Sequence, residues 1–145
     1  MTRAELVYAF AGFPVLLARV VGDVEAAGRR PPPGEWGPAE VVRHLIAVEV
    51  EVLQSRLAQV MAEDDPHWSW TEPSLAPGFD DAPVEAILAA FAQARAVTAA
   101  TVRALDDDGW ARFGTHATYG RLDVEGLLRI AIDHDADHLR GLGGR

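Results

Sequence analysis

Two histidines near the C-terminus, His134 and His138, have a spacing that suits a metal-binding pair. They lie four residues apart in a stretch with helical apolar spacing, so both imidazoles would leave one helix face about one turn apart. The obvious third donor is His44, in another amphipathic stretch, residues 39–57. Zn, Ni and Fe accept neutral imidazole, and three histidines leave coordination positions open for water or substrate. The alternative is that each histidine is a hydrogen-bonded structural residue at the core edge.

Other side chains could surround such a site. Asp135 and Asp137 flank the histidine pair and could orient its imidazoles, although a solvated charged helix face is the simpler interpretation for at least one of them. His116 is a candidate to line a pocket because glycines and aromatic residues surround it, although exposure is the default for a loop histidine. Glu51 is a second pocket candidate. The default for charged helix residues is solvation, which applies here to Glu49, Glu51 and Arg56.

A long loop is expected at residues 63–82, where acidic residues, prolines and glycine interrupt any helix. Loops of this length in compact domains are commonly functional or disordered. Trp68 and Trp70 favour an ordered loop that packs on the rest of the protein. These tryptophans either close a pocket or plug one end of the core.

Four stretches have the apolar spacing of helices. The first covers residues 4–25, with a break or kink expected at 12–14 because Pro14 has no N–H. The proline-rich stretch 29–34 then forms a stiff, non-helical crossing. The second helix should start at Pro38, with Gly37 as its N-cap, and continue to about residue 61.

The third helix is predicted from its alanine-rich apolar pattern over residues 84–105, and the acidic run 106–108 should stop it. Asp123 is a natural N-cap for the last helix, with Gly141 as its C-cap and 143–144 as a tail. No stretch shows the period-two alternation of a strand. The pattern therefore predicts an all-α protein, a four-helix bundle with a long crossover connection.

Composition limits the range of functions. The chain has 145 residues, which predicts one domain over 1–145, and it contains no cysteine, so thiolate sites and disulfides are excluded. A net charge of -9 opposes binding to nucleic acid and to anionic membranes. The N-terminus lacks the apolar core of a signal peptide, and no apolar run approaches the roughly 20 residues that span a bilayer. We therefore expect a cytoplasmic protein that binds a small polar or zwitterionic ligand or a protein partner.

The chain itself offers no activated nucleophile. Its serines, Ser55, Ser69 and Ser74, have no base at a recognisable spacing, and there is no glycine-rich phosphate loop. This absence is compatible with a nucleophile that binds to the protein, with metal-activated water, or with no catalysis.

Three blocks together resemble the DinB-like (DinB/YfiT) superfamily of metal-binding four-helix bundles. They contain the Trp36–Glu40–Val41–His44–Leu45 pattern, the stretch from Trp110 to His116, and the His134–His138–Leu139 pattern. They occur in the order and spacing of the family, and the similarity covers about residues 12–142. The combination is fairly specific, whereas either histidine block alone would not be.

The resemblance implies a divalent metal held by His44, His134 and His138, helices that depart from simple up-down order, and a homodimer. Family members with an assigned activity include thiol-dependent transferases and isomerases that use bacillithiol or mycothiol. The leading expectation is therefore transfer of a low-molecular-weight thiol to an electrophile. Hydrolysis by metal-activated water and a non-catalytic metal-binding or dimer-forming module are the alternatives. Because only neutral imidazole binds metal, metal occupancy should fall below about pH 6.

Overall fold

The computed structural model describes residues 1–143, and most of them are helical. The second helical segment, 38–62, is an uninterrupted succession of two α-helices joined by a π-helix. The elements in chain order are α1 (Arg3–Ala26), α2 (Pro38–Ala47), the π-helix (Val48–Gln54), α3 (Ser55–Ala62), β1 (His67–Trp68), a 3-10 turn (Pro77–Phe79), α4 (Val84–Arg103), α5 (Asp107–Ala111), β2 (Phe113–His116), β3 (Gly120–Asp123) and α6 (Val124–Gly143).

The four long helical segments form the expected bundle, and their order in space differs from their order in sequence. Helix α1 packs mainly on α6 and α4, while α2 and the π-helix pack on α4. Consecutive segments α1 and α2 make few contacts with each other. The all-α four-helix bundle with a crossover connection is therefore confirmed.

Two predicted helix starts are confirmed, and one predicted helix end is wrong. Gly37 donates its N–H to the Glu40 carboxylate at 3.0 Å, which caps α2. Asp123 accepts the N–H of Gly126 at 2.8 Å at the start of α6. Helix α6 continues through Gly141 to residue 143, so that glycine does not end it, and the predicted tail at Gly144 lies outside the described residues.

A small three-stranded sheet was not expected from the sequence. Strand β1 pairs in parallel with β2, and β2 pairs antiparallel with β3, in the order β1-β2-β3. The strands are only two to four residues long, too short to show alternation in the sequence. A β-carbon on Gly114 would lie 2.4 Å from the Trp68 ring, so glycine is required where this ring covers the sheet.

Helix α1 runs unbroken through Pro14, so the helix is not broken at residues 12–14, whereas a kink there stays a prediction. A proline inside a helix leaves the carbonyl four residues earlier without its helical donor, and here that carbonyl is the one of Phe10. Arg95 of α4 supplies the missing donor: its Nη1 lies 2.9 Å from the Phe10 oxygen. A side chain from another helix therefore replaces the hydrogen bond that Pro14 removes.

The same guanidinium joins all four helical segments. Arg95 is 2% exposed and pairs at 2.9 Å with Glu49 of the π-helix and at 2.8 Å with Asp135 of α6. It also lies 3.9 Å from the Phe10 ring centre and 5.1 Å from that of Phe91. Phe10 and Phe91 belong to the two separate clusters of the apolar core. Glu49, expected to be solvated, is therefore a buried partner of Arg95, as is Asp135.

Helix α1 is the one helix within residues 1–143 that is long and apolar enough to cross a membrane, judged by length and composition. Its charged residues interrupt the apolar run in the sequence, as at Arg19. Leu6, Phe10 and Leu17 on its inner face are almost completely buried in the bundle. Core helices of soluble proteins pass the same test, so this helix is weak evidence for a membrane segment.

Replacing Arg95 by methionine should destabilise the fold by about 3–5 kcal/mol, because Glu49 and Asp135 would remain as buried, unpaired carboxylates. Urea unfolding followed by circular dichroism measures this change. Arg103→Met, at an exposed position of the same helix, should change the free energy of unfolding by less than about 0.5 kcal/mol.

A triple variant with Arg95→Met, Glu49→Met and Asp135→Leu tests whether the unpaired buried carboxylates cause this loss of stability. It should recover much of the lost stability, because apolar residues of similar size often replace a buried ion cluster without loss. Equal stabilities of Arg95→Met and Arg103→Met would contradict the proposed dependence on the buried charge.

Candidate metal centre

The bundle brings His44 of α2 together with His134 and His138 of α6. The Nε2 atom of His134 lies 3.3 Å from that of His44 and 3.2 Å from that of His138. One ring nitrogen from each of the three lies within 4.8 Å of the others. The two helices therefore face each other, which was the condition for a three-histidine site.

Hydrogen bonding among the three rings cannot account for this convergence. A neutral imidazole nitrogen carries either one proton or one lone pair, so His134 Nε2 can make only one of its two close contacts as a hydrogen bond. A cation shared by the three lone pairs removes this conflict. Ligand nitrogens about 2.0–2.1 Å from a tetrahedral ion are about 3.3–3.4 Å apart, close to the spacing seen here. The three residues therefore fit a divalent metal.

The surroundings keep the imidazoles neutral. Burial, followed by the charge of His138, lowers the pKa of His44 to about 4. Burial and then the two neighbouring histidines lower the pKa of His134 to about 4. Burial also lowers the pKa of His138, with Asp137 acting in the opposite direction. Neutral imidazole is the form that binds a metal ion, so all three shifts favour coordination.

Two contacts position the histidines. The Trp36 ring packs on the ring of His44, with 5.1 Å between their centres. Asp135, which follows His134 directly, is fixed to Arg95 inside the bundle. Burial raises the pKa of Asp135 to about 6, while its hydrogen bond to Arg95 lowers it. Asp135 therefore anchors α6 instead of contacting an imidazole, and Asp137 is an exposed partner of Arg140.

Two cavities border the histidine cluster. A cavity of about 380 Å³ is lined by His44 and His134, and one of about 560 Å³ is lined by His138 and Trp36. Among the described residues, Asp137 is the only one that lines both cavities. The cluster is thus accessible from two separate volumes, each of a size that suits a small molecule.

Of the four residues that the sequence suggested as pocket residues, two line a cavity and two do not. His116 and Trp70 line the smaller cavity. Trp68 instead belongs to the core, 9% exposed, and donates to Gln59 at 2.8 Å, so it plugs the bundle. Glu51 lines neither cavity: its carboxylate accepts hydrogen bonds from the backbone and hydroxyl of Ser74, which lower its pKa and tie the 63–82 loop to the second helical segment.

The π-helix explains why Glu51 faces away. In an α-helix, steps of four residues drift by about 40° around the axis. The wider turns of the π-helix offset this drift, so Val48, Val52 and Arg56 stay in line with His44 along the cavity wall. A regular α-helix would instead put Glu51, seven residues after His44, on the same face as that histidine.

Sequence reasoning missed Arg56, Tyr119 and Trp36 as parts of the site, and it missed Arg95 as its support. A usable signal existed for Arg95, since it falls on the same helical stripe as the buried residues Phe91 and Val102. A single charge on an apolar stripe indicates a buried ion pair. No such pattern marks Tyr119, which lies in the turn between β2 and β3.

Comparison with known proteins agrees with this fold. A family model described as the DinB superfamily matches residues 2–142. The solved structure of YfiT from Bacillus subtilis, described as a probable metal-dependent hydrolase with an unusual four-helix bundle topology, superimposes with a TM-score of 0.77. It is 18% identical, and the match covers 99% of this chain and 87% of that one. No curated protein matches the chain.

Substituting one histidine of the cluster should abolish tight metal binding. We expect about one Zn²⁺ per wild-type chain, and for His134→Ala a loss of affinity larger than the roughly 10- to 100-fold that follows loss of an outer-shell partner. Metal analysis after dialysis and competition with a chromogenic chelator measure both quantities. The matched control is His67→Ala, an exposed histidine outside the cluster. Full metal occupancy in His134→Ala would exclude the three-histidine site.

The lowered pKa values move the expected acid sensitivity of metal binding from about pH 6 to about pH 4. Above pH 5, His44 and His134 carry almost no protons that a metal must displace. Zinc binding at pH 6 should therefore release few protons, whereas a histidine with the ordinary pKa would release about three quarters of one. Calorimetric titrations in buffers of different ionisation enthalpy count these protons. Release of about two protons per ion would contradict the shifted values.

Proposed function

This chain belongs to the DinB superfamily, and on that basis we propose that it is a divalent-metal-dependent enzyme that joins a low-molecular-weight thiol to a small-molecule electrophile. The metal would be Zn, Ni or Fe, held by His44, His134 and His138, and the thiol would be of the bacillithiol or mycothiol type. The observation that supports this proposal best is the pair of cavities at the cluster.

A transferase needs room for two organic molecules beside the nucleophile, whereas a hydrolase needs room for one. His44 and His134 face the smaller cavity, and His138 faces the larger one. A thiol in one cavity and an electrophile in the other would meet at the cluster. This arrangement favours thiol transfer over hydrolysis.

The residues of the chain hold and orient the reactants. When bound, a divalent ion lowers the pKa of a coordinated thiol and makes its sulfur nucleophilic at neutral pH. The chain contains no cysteine, so the sulfur must come from a second substrate. The sulfur forms a bond to the electrophilic carbon, the leaving group departs with the bonding electron pair, and the thiol proton passes to the leaving group or to solvent.

Hydrolysis is the second candidate, and it is favoured by the likeness to YfiT, itself described as a probable metal-dependent hydrolase. The same three histidines would serve either reaction, since a divalent ion also lowers the pKa of water. A non-catalytic metal-binding or dimer-forming module is the third. The two cavities argue against this last alternative, because a purely structural site has no need of open space.

Several further expectations stay proposals. We propose a homodimer, which the exposed apolar side chains Tyr8 and Val15 on α1 support. We also propose a cytoplasmic location, where such thiols occur, and a small-molecule substrate without contact to nucleic acid or membrane. The net charge of -9 supports the last two exclusions.

Thiol binding and transfer can be measured on the metal-loaded protein. Titration of the Co²⁺ form with bacillithiol or mycothiol should produce a near-ultraviolet thiolate-to-metal charge-transfer band, and chlorodinitrobenzene should then be converted to a thiol conjugate. Gly141→Leu and Ala131→Leu, which narrow the larger and the smaller cavity, should each reduce conjugation at least about tenfold. Gly12→Leu, in open space on α1, is the matched control.

Three results would each count against the transferase assignment. Consumption of the electrophile that is equally fast without any thiol, with release of its hydrolysis product, would identify a hydrolase. Conjugation that neither cavity-narrowing variant affects would show that the cavities take no part in the reaction. Absence of a charge-transfer band with every cellular thiol would also remove the thiol as the metal-bound nucleophile.

A further inference from the structure

The smaller cavity contains an arginine that has no ionic partner among residues 1–143. Arg56 is half-buried against the ring of Trp68, 5.3 Å from its centre, and donates a hydrogen bond to the Ser69 carbonyl at 3.3 Å. Within residues 1–143 no carboxylate lies within 4.0 Å of its guanidinium, although the chain has 22 acidic residues. Burial lowers the pKa of Arg56, so holding this charge costs free energy that a bound anion would offset.

His116 offers a second donor beside Arg56. Its Nδ1 accepts the backbone N–H of Thr118 at 2.9 Å and that of Tyr119 at 3.4 Å. A neutral imidazole whose Nδ1 accepts carries its proton on Nε2, and burial together with Arg56 lowers the pKa of His116 and keeps it neutral. The tautomer is therefore fixed by the β2–β3 turn.

The Nε2–H of His116 is reached from the cavity. Nothing among the described residues accepts a hydrogen bond from it, while no fully buried side-chain nitrogen or oxygen there lacks a partner. The atom must therefore touch solvent, and His116 lines the smaller cavity. Its ring packs on Tyr119, with centres 4.8 Å apart, and Tyr119 lines the cavity as well.

We propose that Arg56 and His116 form a carboxylate-binding subsite, so that the substrate in the smaller cavity carries a carboxylate some distance from the group that reacts at the histidine cluster. A guanidinium fork binds a planar carboxylate through two parallel hydrogen bonds, and the Nε2–H of His116 adds a third. The acidic residues of this cavity, Asp133 and Asp137, flank the histidines on α6 and would disfavour a carboxylate at that end. The cavity is therefore negatively charged near the histidine cluster and positively charged near Arg56.

This inference rests on the proposed function for the identity of the reacting end, but the subsite itself can be tested without turnover. Hexanoate and its neutral counterpart hexanamide serve as probes, added to metal-free and to Zn²⁺-loaded full-length protein. Binding is measured by calorimetry and by the shift of the His116 ring signals in nuclear magnetic resonance spectra. Hexanoate should bind at least about tenfold more tightly than hexanamide in both forms.

Substitutions of Arg56 test whether its guanidinium binds the carboxylate of hexanoate. Arg56→Met keeps the aliphatic packing on Trp68 and should weaken hexanoate binding about 10- to 100-fold, the range expected for loss of hydrogen bonds to a charged group, while hexanamide is unaffected. Arg56→Lys should give an intermediate loss because it keeps the charge without the fork. Arg19→Met, an exposed arginine of α1, is the matched control. Thermal unfolding and zinc stoichiometry verify that each variant is folded.

The outcomes separate this proposal from the proposed function. Equal binding of hexanoate and hexanamide, or hexanoate binding that Arg56→Met leaves unchanged, would overturn the subsite. If hexanoate binds only the zinc form, independently of Arg56, its carboxylate coordinates the metal and does not occupy the subsite. Tighter binding of pentylphosphonate than of hexanoate would show that the subsite selects a phosphonate or phosphate group instead of a carboxylate. If the wild-type protein shows no thiol transfer but binds hexanoate in an Arg56-dependent way, the proposed reaction is wrong and the subsite is still supported.

Discussion

The buried guanidinium of Arg95 is the interaction on which the rest of this bundle depends. It lies on α4, pairs with Glu49 and Asp135 on two other helical segments, and donates to the Phe10 carbonyl that Pro14 leaves without a helical partner. The triad carries one net negative charge, and its guanidinium also contacts the Phe10 carbonyl and the aromatic rings around it. Buried ion pairs often contribute little net stability, but they are costly to break. Their effect here is to permit one arrangement of the four segments and to disfavour others.

That arrangement sets the geometry of the candidate metal centre. Glu49 lies five residues after His44, and Asp135 lies next to His134, so both histidine-bearing segments are fixed to the same arginine. A slip of either helix by one turn would separate the Nε2 atoms by about 5 Å and would also break the ion pairs. The buried ion pairs with Arg95 therefore fix the positions of the imidazoles. Their low pKa values follow from the same burial.

The small sheet and the 63–82 loop determine what can approach the cluster. Trp68 packs into the core over Gly114, and Arg56 lies against its outer face, while Trp70 and Tyr119 remain exposed at the rim of the smaller cavity. The backbone of the β2–β3 turn fixes the tautomer of His116. The 63–82 loop thus adds Trp70 at the rim, while Arg56 of α3 and His116 of β2 supply polar groups inside the cavity. The helices supply the histidines.

The sequence by itself determined the helical class, the starts of two helices and the three histidines, because these follow from local periodicity, capping residues and ligand chemistry. It could not show the sheet, because pairing between residues 67–68 and 113–116 is a long-range event with no local pattern. Nor could it distinguish the buried Glu49 from the exposed Glu51, since that difference depends on the π-helix and on an arginine 46 residues away. Only the tertiary structure decided that His44 faces the C-terminal pair and that Trp68 lies in the core while Trp70 lies at the cavity rim. It also decided that Arg56 has no ionic partner in the part of the chain that the structure describes. Each of these depends on which surfaces meet, and helical segments that are neighbours in sequence are not the ones that pack most closely here.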